Sequence, residues 1–120
     1  MWSGPGPSPC GRNTVRRIHI ALAVDDLEGT IADYTVRLGG PPVAVVPGTY
    51  ALWRTAEVNL SVNVASPSAQ RLRHLGFEDD RVAEKTEGVD VNGITWESFS
   101  PGWQDEALVR VYGEPTRHAG

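Results

Sequence analysis

Sulfur is scarce in this chain, which has one cysteine, Cys10, and one methionine, Met1. A lone cysteine excludes an intrachain disulfide and any cysteine-based zinc site within one chain. Cys10 lies among Gly, Pro and Ser, a setting that predicts an exposed, inert thiol. Long apolar runs are missing too: no stretch approaches the roughly 20 residues that span a bilayer. The first residues lack the apolar segment of a secretory signal. The expectation is a cytoplasmic protein with no membrane partner. Basic residues are the minority, 11 Lys+Arg against 15 Asp+Glu, for a net charge of −4. Without a Lys/Arg-rich stripe, nucleic acid is not expected as a partner. Also absent are the Gly-x-Ser-x-Gly nucleophile elbow and the phosphate-binding loops of Walker or Rossmann type.

What remains is an ordinary globular composition, 120 residues of which 40% are hydrophobic. It suits one domain. Residues 1–13 are rich in Gly, Pro and Ser and read as a flexible tail. Residues 114–120, which include His118, read as a frayed end. The domain is expected over 14–113.

Periodicity supplies the elements. Arg17 to Val24 alternates as a strand, with Ile18, Ile20, Leu22 and Val24 on a face suited to burial under a helix. His19, Ala21 and Ala23 form the other face. Asp25 and Glu28 make a capping-box-like start. Leu27, Ile31, Tyr34 and Leu38 then recur at helical spacing, and Gly39-Gly40 with Pro41-Pro42 stops the helix. Short strands are expected at Val43 to Val46, Tyr50 to Arg54 and Glu57 to Val64, which makes the first half β-α-β-β-β. Ser66 to Gln70 reads as a linker. Leu72 to Glu78 opens a second half with another histidine-bearing strand. Asp79 to Gly88 is charged and offers a short helix at best. Ile94 to Phe99 is a strand. Ser100-Pro101 starts a final helix with Trp103, Ala107, Leu108, Val111 and Tyr112 as its apolar stripe, ended by Gly113 and Pro115.

Chemistry-bearing residues fall on these strands. His19, His74 and Glu97 offer two imidazoles and a carboxylate, a common set for a divalent metal that leaves positions open for substrate or water. The same groups can do acid–base work without metal, or serve as hydrogen-bonded sheet histidines and a solvated edge carboxylate. Asn59, Ser61 and Asn63 make an uncharged polar stripe, fit either to orient a substrate or to face solvent. Phe99 alternates onto the face of Glu97. With Trp53 or Arg54 on the middle strand it is a candidate pocket wall. The remaining aromatics read as core and dimer packing, or as the lining of a pocket for a planar ligand.

The run His19-Ile20-Ala21-Leu22-Ala23-Val24-Asp25-Asp26-Leu27, followed by Thr30-Ile31, Tyr34 and Leu38-Gly39, resembles the opening of the glyoxalase/bleomycin-resistance/dioxygenase family, the vicinal oxygen chelate superfamily. Leu72-Arg73-His74-Leu75-Gly76-Phe77-Glu78 resembles the strand that opens that family's second module. Asp90-Val91-Asn92-Gly93-Ile94-Thr95-Trp96-Glu97 resembles its D-x-[DN]-G-x-x-x-E ending. The resemblance covers roughly Arg17 to Phe99. It implies an α+β fold of two βαβββ modules around a metal-containing cleft. The divalent ion (Mn, Fe, Ni or Zn) would be held at the positions of His19, His74 and Glu97. Asn59 stands where glyoxalase I-like members carry a fourth ligand, a Glu. The three-ligand set is therefore closer to the fosfomycin-resistance transferases or the extradiol dioxygenases.

Only 22 residues lie between His74 and Glu97. At about 3.3 Å per strand residue they cannot hold a helix and all further strands. The second module is therefore expected to be abbreviated, with the C-terminal helix or a partner subunit covering the surface left bare. Two functions stay open. One is a divalent-metal enzyme acting on a small oxygen-chelating substrate by lyase, transferase or dioxygenase chemistry. The other is a metal-free protein that binds a small molecule or drug in a cleft at a dimer interface. An incomplete sheet leaves an edge and a face that predict a homodimer. A structural remnant without small-molecule function is the third alternative.

Overall fold

In the computed structural model, which describes residues 16–65 and 70–117, ten elements follow in order. They are β1 (Arg16–Val24), α1 (Leu27–Leu38), β2 (Ala44–Val46), β3 (Tyr50–Arg54), β4 (Val58–Val64), β5 (Leu72–Asp79), β6 (Thr86–Val89), β7 (Thr95–Phe99), α2 (Pro101–Tyr112) and β8 (Thr116–Arg117). The architecture is mixed α+β, with one open eight-stranded sheet in the order β6-β7-β5-β1-β4-β3-β2-β8. Cys10 and His118, the tail 1–13 and most of the expected linker lie outside the described residues.

The sheet has a repeated plan. β1 pairs parallel with β4, and β4 antiparallel with β3. Likewise β5 pairs parallel with β7, and β7 antiparallel with β6. The two groups join through the antiparallel β1–β5 pair. α1 follows β1, but no helix follows β5.

Helix α1 forms because Asp26 caps it, accepting from the Gly29 N–H at 3.0 Å. Its apolar side places Leu27 in a core with Val24, Ala51, Trp53, Leu60 and Val62, and Ile31, Tyr34 and Leu38 pack against that core. Gly39, at φ 83°, ends the helix in the left-handed conformation that glycine tolerates best. Asp25, the expected cap, instead pairs with Arg71 at 2.7 Å. On the opposite face of the sheet, Leu108 of α2 packs with Ala44, Tyr50 and Leu52. Ser100 caps α2 by accepting from the Trp103 N–H at 3.0 Å. The sheet thus lies between two helices, one on each face.

Four expectations are corrected. On β1 the deeply buried side is His19, Ala21 and Ala23. The Ile18–Leu22 side is half-exposed, and Ile18 is 36% exposed, because α1 covers the sheet toward β3 and β4 and leaves part of that side bare. Residues 79–88 form no helix: β5 runs to Asp79 and β6 starts at Thr86. β6 escaped notice because all four of its residues are exposed, so no apolar alternation marks it. Thr116 and Arg117 do not fray but pair with Val45 and Ala44 of β2. Trp53 belongs to the α1 core, with its indole N–H donating to the Gly40 carbonyl at 3.0 Å. It is therefore on the wrong face to line the histidine side.

Candidate metal centre

The register places the candidate residues in one line across the sheet. His19 of β1 sits opposite Asn59 of β4 on one side and Gly76 of β5 on the other. Gly76 in turn sits opposite Glu97 of β7. A Cβ at Gly76 would lie 1.9 Å from the Glu97 carbonyl oxygen, so only glycine permits this approach of β5 and β7. Two residues away, His74 projects on the same face. Glu97 is carried by a strand whose entering hairpin is closed by Asp90. The Asp90 carboxylate accepts from the Asn92 and Ile94 N–H groups at 2.8 and 3.0 Å and from the Trp96 indole at 2.8 Å. Gly93, at φ 81°, supplies the left-handed residue of that turn. The Asp90–Glu97 segment is thus a turn device followed by its side-chain payload.

His19, His74 and Glu97 meet, and their ligand atoms lie within 4.8 Å of one another. The two imidazoles face each other, Nε2 to Nε2, at 3.0 Å. His74 Nε2 is 3.4 Å from Glu97 Oε1. The other oxygen of Glu97 lies 3.5 Å from Lys85 Nζ, which leaves Oε1 turned inward. Two nitrogens bound to one ion at about 2.1 Å and about 90° stand about 3.0 Å apart. The spacing therefore fits neighbouring ligands of a single divalent ion.

The protonation of His19 is determined by what lies behind it. Glu78 is fully buried and held by Arg17 at 2.5 Å and Arg54 at 2.5 Å. Its carboxylate only accepts, so the Asn59 amide nitrogen must point to it, at 2.7 Å. The same nitrogen donates to Gln104 Oε1 at 2.7 Å, and that oxygen also accepts from Arg54 at 2.7 Å. Asn59 Oδ1 is therefore turned toward His19 Nδ1, 2.9 Å away, with the Asn59 carbonyl at 3.2 Å as a second acceptor. Nδ1 must carry the proton. Nε2 then presents its lone pair to His74 and Glu97. An outer partner that fixes a ring tautomer in this way is the usual companion of a metal-binding histidine.

Burial lowers the pKa of His19 below its ordinary value, against the opposing pull of Asn59 and the carboxylates of Glu97 and Glu78. Burial also lowers that of His74. Glu97 opposes the shift, and the charges of His19, Arg73 and Lys85 add to it. Both rings are thus biased to the neutral, ligating form.

The cluster opens into a pocket of about 160 Å³ between the sheet and α2. Phe99 meets the His19 ring edge-on at 4.9 Å and stacks near Trp103 at 5.6 Å. Phe99 and Ser61 line this pocket, whereas Asn63 is not part of the lining. Asn63 accepts from Arg73 at 2.8 Å. Asn59 is fully buried behind His19 rather than in the pocket. Glu78, Arg17 and Gln104 were missed. A carboxylate at a strand end and a glutamine within a helix carry no local sign of burial, since their partners come from distant strands.

No helix among the described residues is long and apolar enough to cross a membrane. No protein-family model matches the chain, and no curated protein matches it in sequence.

Proposed function

We propose that the chain is a divalent-metal-dependent enzyme of the glyoxalase/bleomycin-resistance/dioxygenase type, acting on a small oxygen-chelating substrate. The observation that carries this reading is the convergence of His19, His74 and Glu97, with the His19 lone pair directed inward by Asn59. The strand plan supports it. β1-α1-β2-β3-β4 reads as one βαβββ module, and β5-β6-β7 as a second, abbreviated by a helix and a strand. α2 lies on the face that carries the site and narrows it. In this reading the bare outer side of β1 and β5 suits a second copy of the chain.

A bound divalent ion would supply Lewis acidity toward two substrate oxygens, in lyase, transferase or dioxygenase chemistry. Two imidazoles and a carboxylate suit Mn, Fe, Ni or Zn. The chain's own residues do the rest. Asn59 holds the His19 tautomer. Lys85 engages the outer oxygen of Glu97. Phe99 and Trp103 supply aromatic rings to the lining, and Ser61 and Tyr50, hydrogen-bonded to each other, also line it.

The test is elemental analysis of tag-free protein beside a His19→Ala/Glu97→Ala double variant. The expected result is near-stoichiometric metal in the parent and none in the variant. A parent that takes up no metal after reloading with each of the four ions overturns the proposal and favours a metal-free binding protein.

A further inference from the structure

The β1–β5 pairing contains one irregularity. Ala21 pairs with His74, but the next residue, Leu22, pairs with Leu72. Arg73 is the extra residue of a β-bulge, a device that re-aims a side chain beside a site. On a regular strand Arg73 would point away from the face that carries His74. Here it reaches that face. It lines the same pocket as the candidate ligands, and its Nη1 donates to Asn63 Oδ1 at 2.8 Å. Asn63 stands opposite Ala23, on the histidine side of the sheet.

Arg73 also differs in its partners. Arg17, Arg54, Arg71 and Arg81 each hold a carboxylate. Arg73 instead donates to a neutral amide, that of Asn63. Arg73 and Glu97 are the charged residues of the pocket lining. With a divalent ion on Glu97 and neutral histidines, that lining carries a net charge of about +2. A neutral substrate would leave this charge unbalanced.

We infer that Arg73 is a substrate-binding residue, and that the substrate is a small chelating compound bearing a carboxylate separate from its chelating oxygens. The inference rests on the metal site proposed above. The chelating oxygens face His19, His74 and Glu97, and the separate carboxylate replaces the Asn63 amide as the partner of Arg73. The pocket sets the scale. At about 160 Å³ it matches a cavity that holds one benzene-sized body, so the rest of the substrate extends toward the mouth.

The test is titration calorimetry of the metal-loaded full chain with two probes that share a 2-hydroxy-acid chelating group. Malate carries a second carboxylate and lactate does not. Malate also chelates ions better in free solution. The readout is therefore how the malate-to-lactate affinity ratio changes between the parent and Arg73→Gln. The expected result is a fall of about tenfold in malate affinity in R73Q, with lactate changed less than about twofold. Arg73→Lys should restore part of the malate preference. Equal losses for both probes, or no loss for either, overturn the role of Arg73 while leaving the metal site standing. Elemental analysis of the same samples separates the two readings. Absence of metal from the parent overturns both, whereas metal present without a change in ratio overturns this inference alone.

Discussion

Replacing Asn59 should separate the strength of the fold from the strength of the metal site. Asn59→Ala removes four buried hydrogen bonds, one each from His19 Nδ1, Glu78 Oε1, Gln104 Oε1 and Gln104 Nε2. Three of the four keep another partner. His19 keeps the backbone carbonyl at 3.2 Å, and Arg54 still donates to both Glu78 and Gln104. At about 1 kcal/mol for each lost bond, the loss is about 4 kcal/mol. For a domain of this size the melting temperature falls on the order of 10–20 °C. Metal affinity should fall about 10- to 100-fold, as it does when an outer partner of a ligating histidine is lost. Asn59→Asp makes the contrast. Its carboxylate still accepts from His19 Nδ1–H, so metal affinity should equal or exceed that of the parent. It also faces Glu78 where an N–H once donated, so stability should fall at least as far as in N59A. The assays are thermal unfolding of the metal-free protein and competition titration of the metal, with circular dichroism confirming that each variant is folded at the titration temperature. The tautomer argument is refuted if folded N59A binds metal as tightly as the parent, or if N59D loses affinity in step with N59A.

Three further outcomes are expected. The lowered pKa values of His19 and His74 mean that the unfolded chain takes up protons, near the ordinary value of 6.5, before the folded one does. The corresponding stability is present above about pH 6.5 and lost as pH falls. The melting temperature of metal-free protein should therefore drop between about pH 7.5 and about pH 5.5, and a flat profile across that window would contradict the burial argument. Trp53→Phe, on the α1 side of the sheet, should cost about 1–3 kcal/mol in chemical denaturation and leave the metal Kd unchanged. A weakened Kd would show that the two faces communicate. Gly76→Ala forces β5 and β7 apart at Glu97. It should cost about 3 kcal/mol or more and weaken metal binding together with stability, so stability retained at the parental level would mean that the close approach is not required.

The grouping of His19, His74 and Glu97 was legible because each lies on a strand. Ala21 and Ala23 beside His19 allow α2 and the sheet to close over the ring. Phe99 followed from its parity with Glu97. Parity failed at Trp53, because Tyr50 to Trp53 is apolar on both faces and alternation cannot choose a side for a strand covered by helices above and below. It failed differently on β1, where the more apolar face is the less buried one. Hydrophobicity reports which side prefers burial, whereas the covering helices decide which side obtains it. Position along a strand carried no sign of the bulge at Arg73, which arises from a one-residue mismatch between two strands some fifty residues apart in the chain.

The ionic cluster behind His19 is the feature that stability alone explains least well. Removing Glu78 from water while holding it between two guanidinium groups carries a desolvation penalty that often cancels the attraction, and apolar side chains of similar volume commonly do as well or better. Such a replacement would leave Asn59 free to turn. Its amide oxygen and nitrogen are nearly the same size, and packing alone distinguishes them poorly. A buried acceptor that cannot donate does distinguish them. Arg17 and Arg54 hold the two Glu78 oxygens, Glu78 claims the amide nitrogen, and the oxygen is left for His19. The buried charge therefore acts two residues away, by selecting which nitrogen of the imidazole carries the proton and which faces His74 and Glu97.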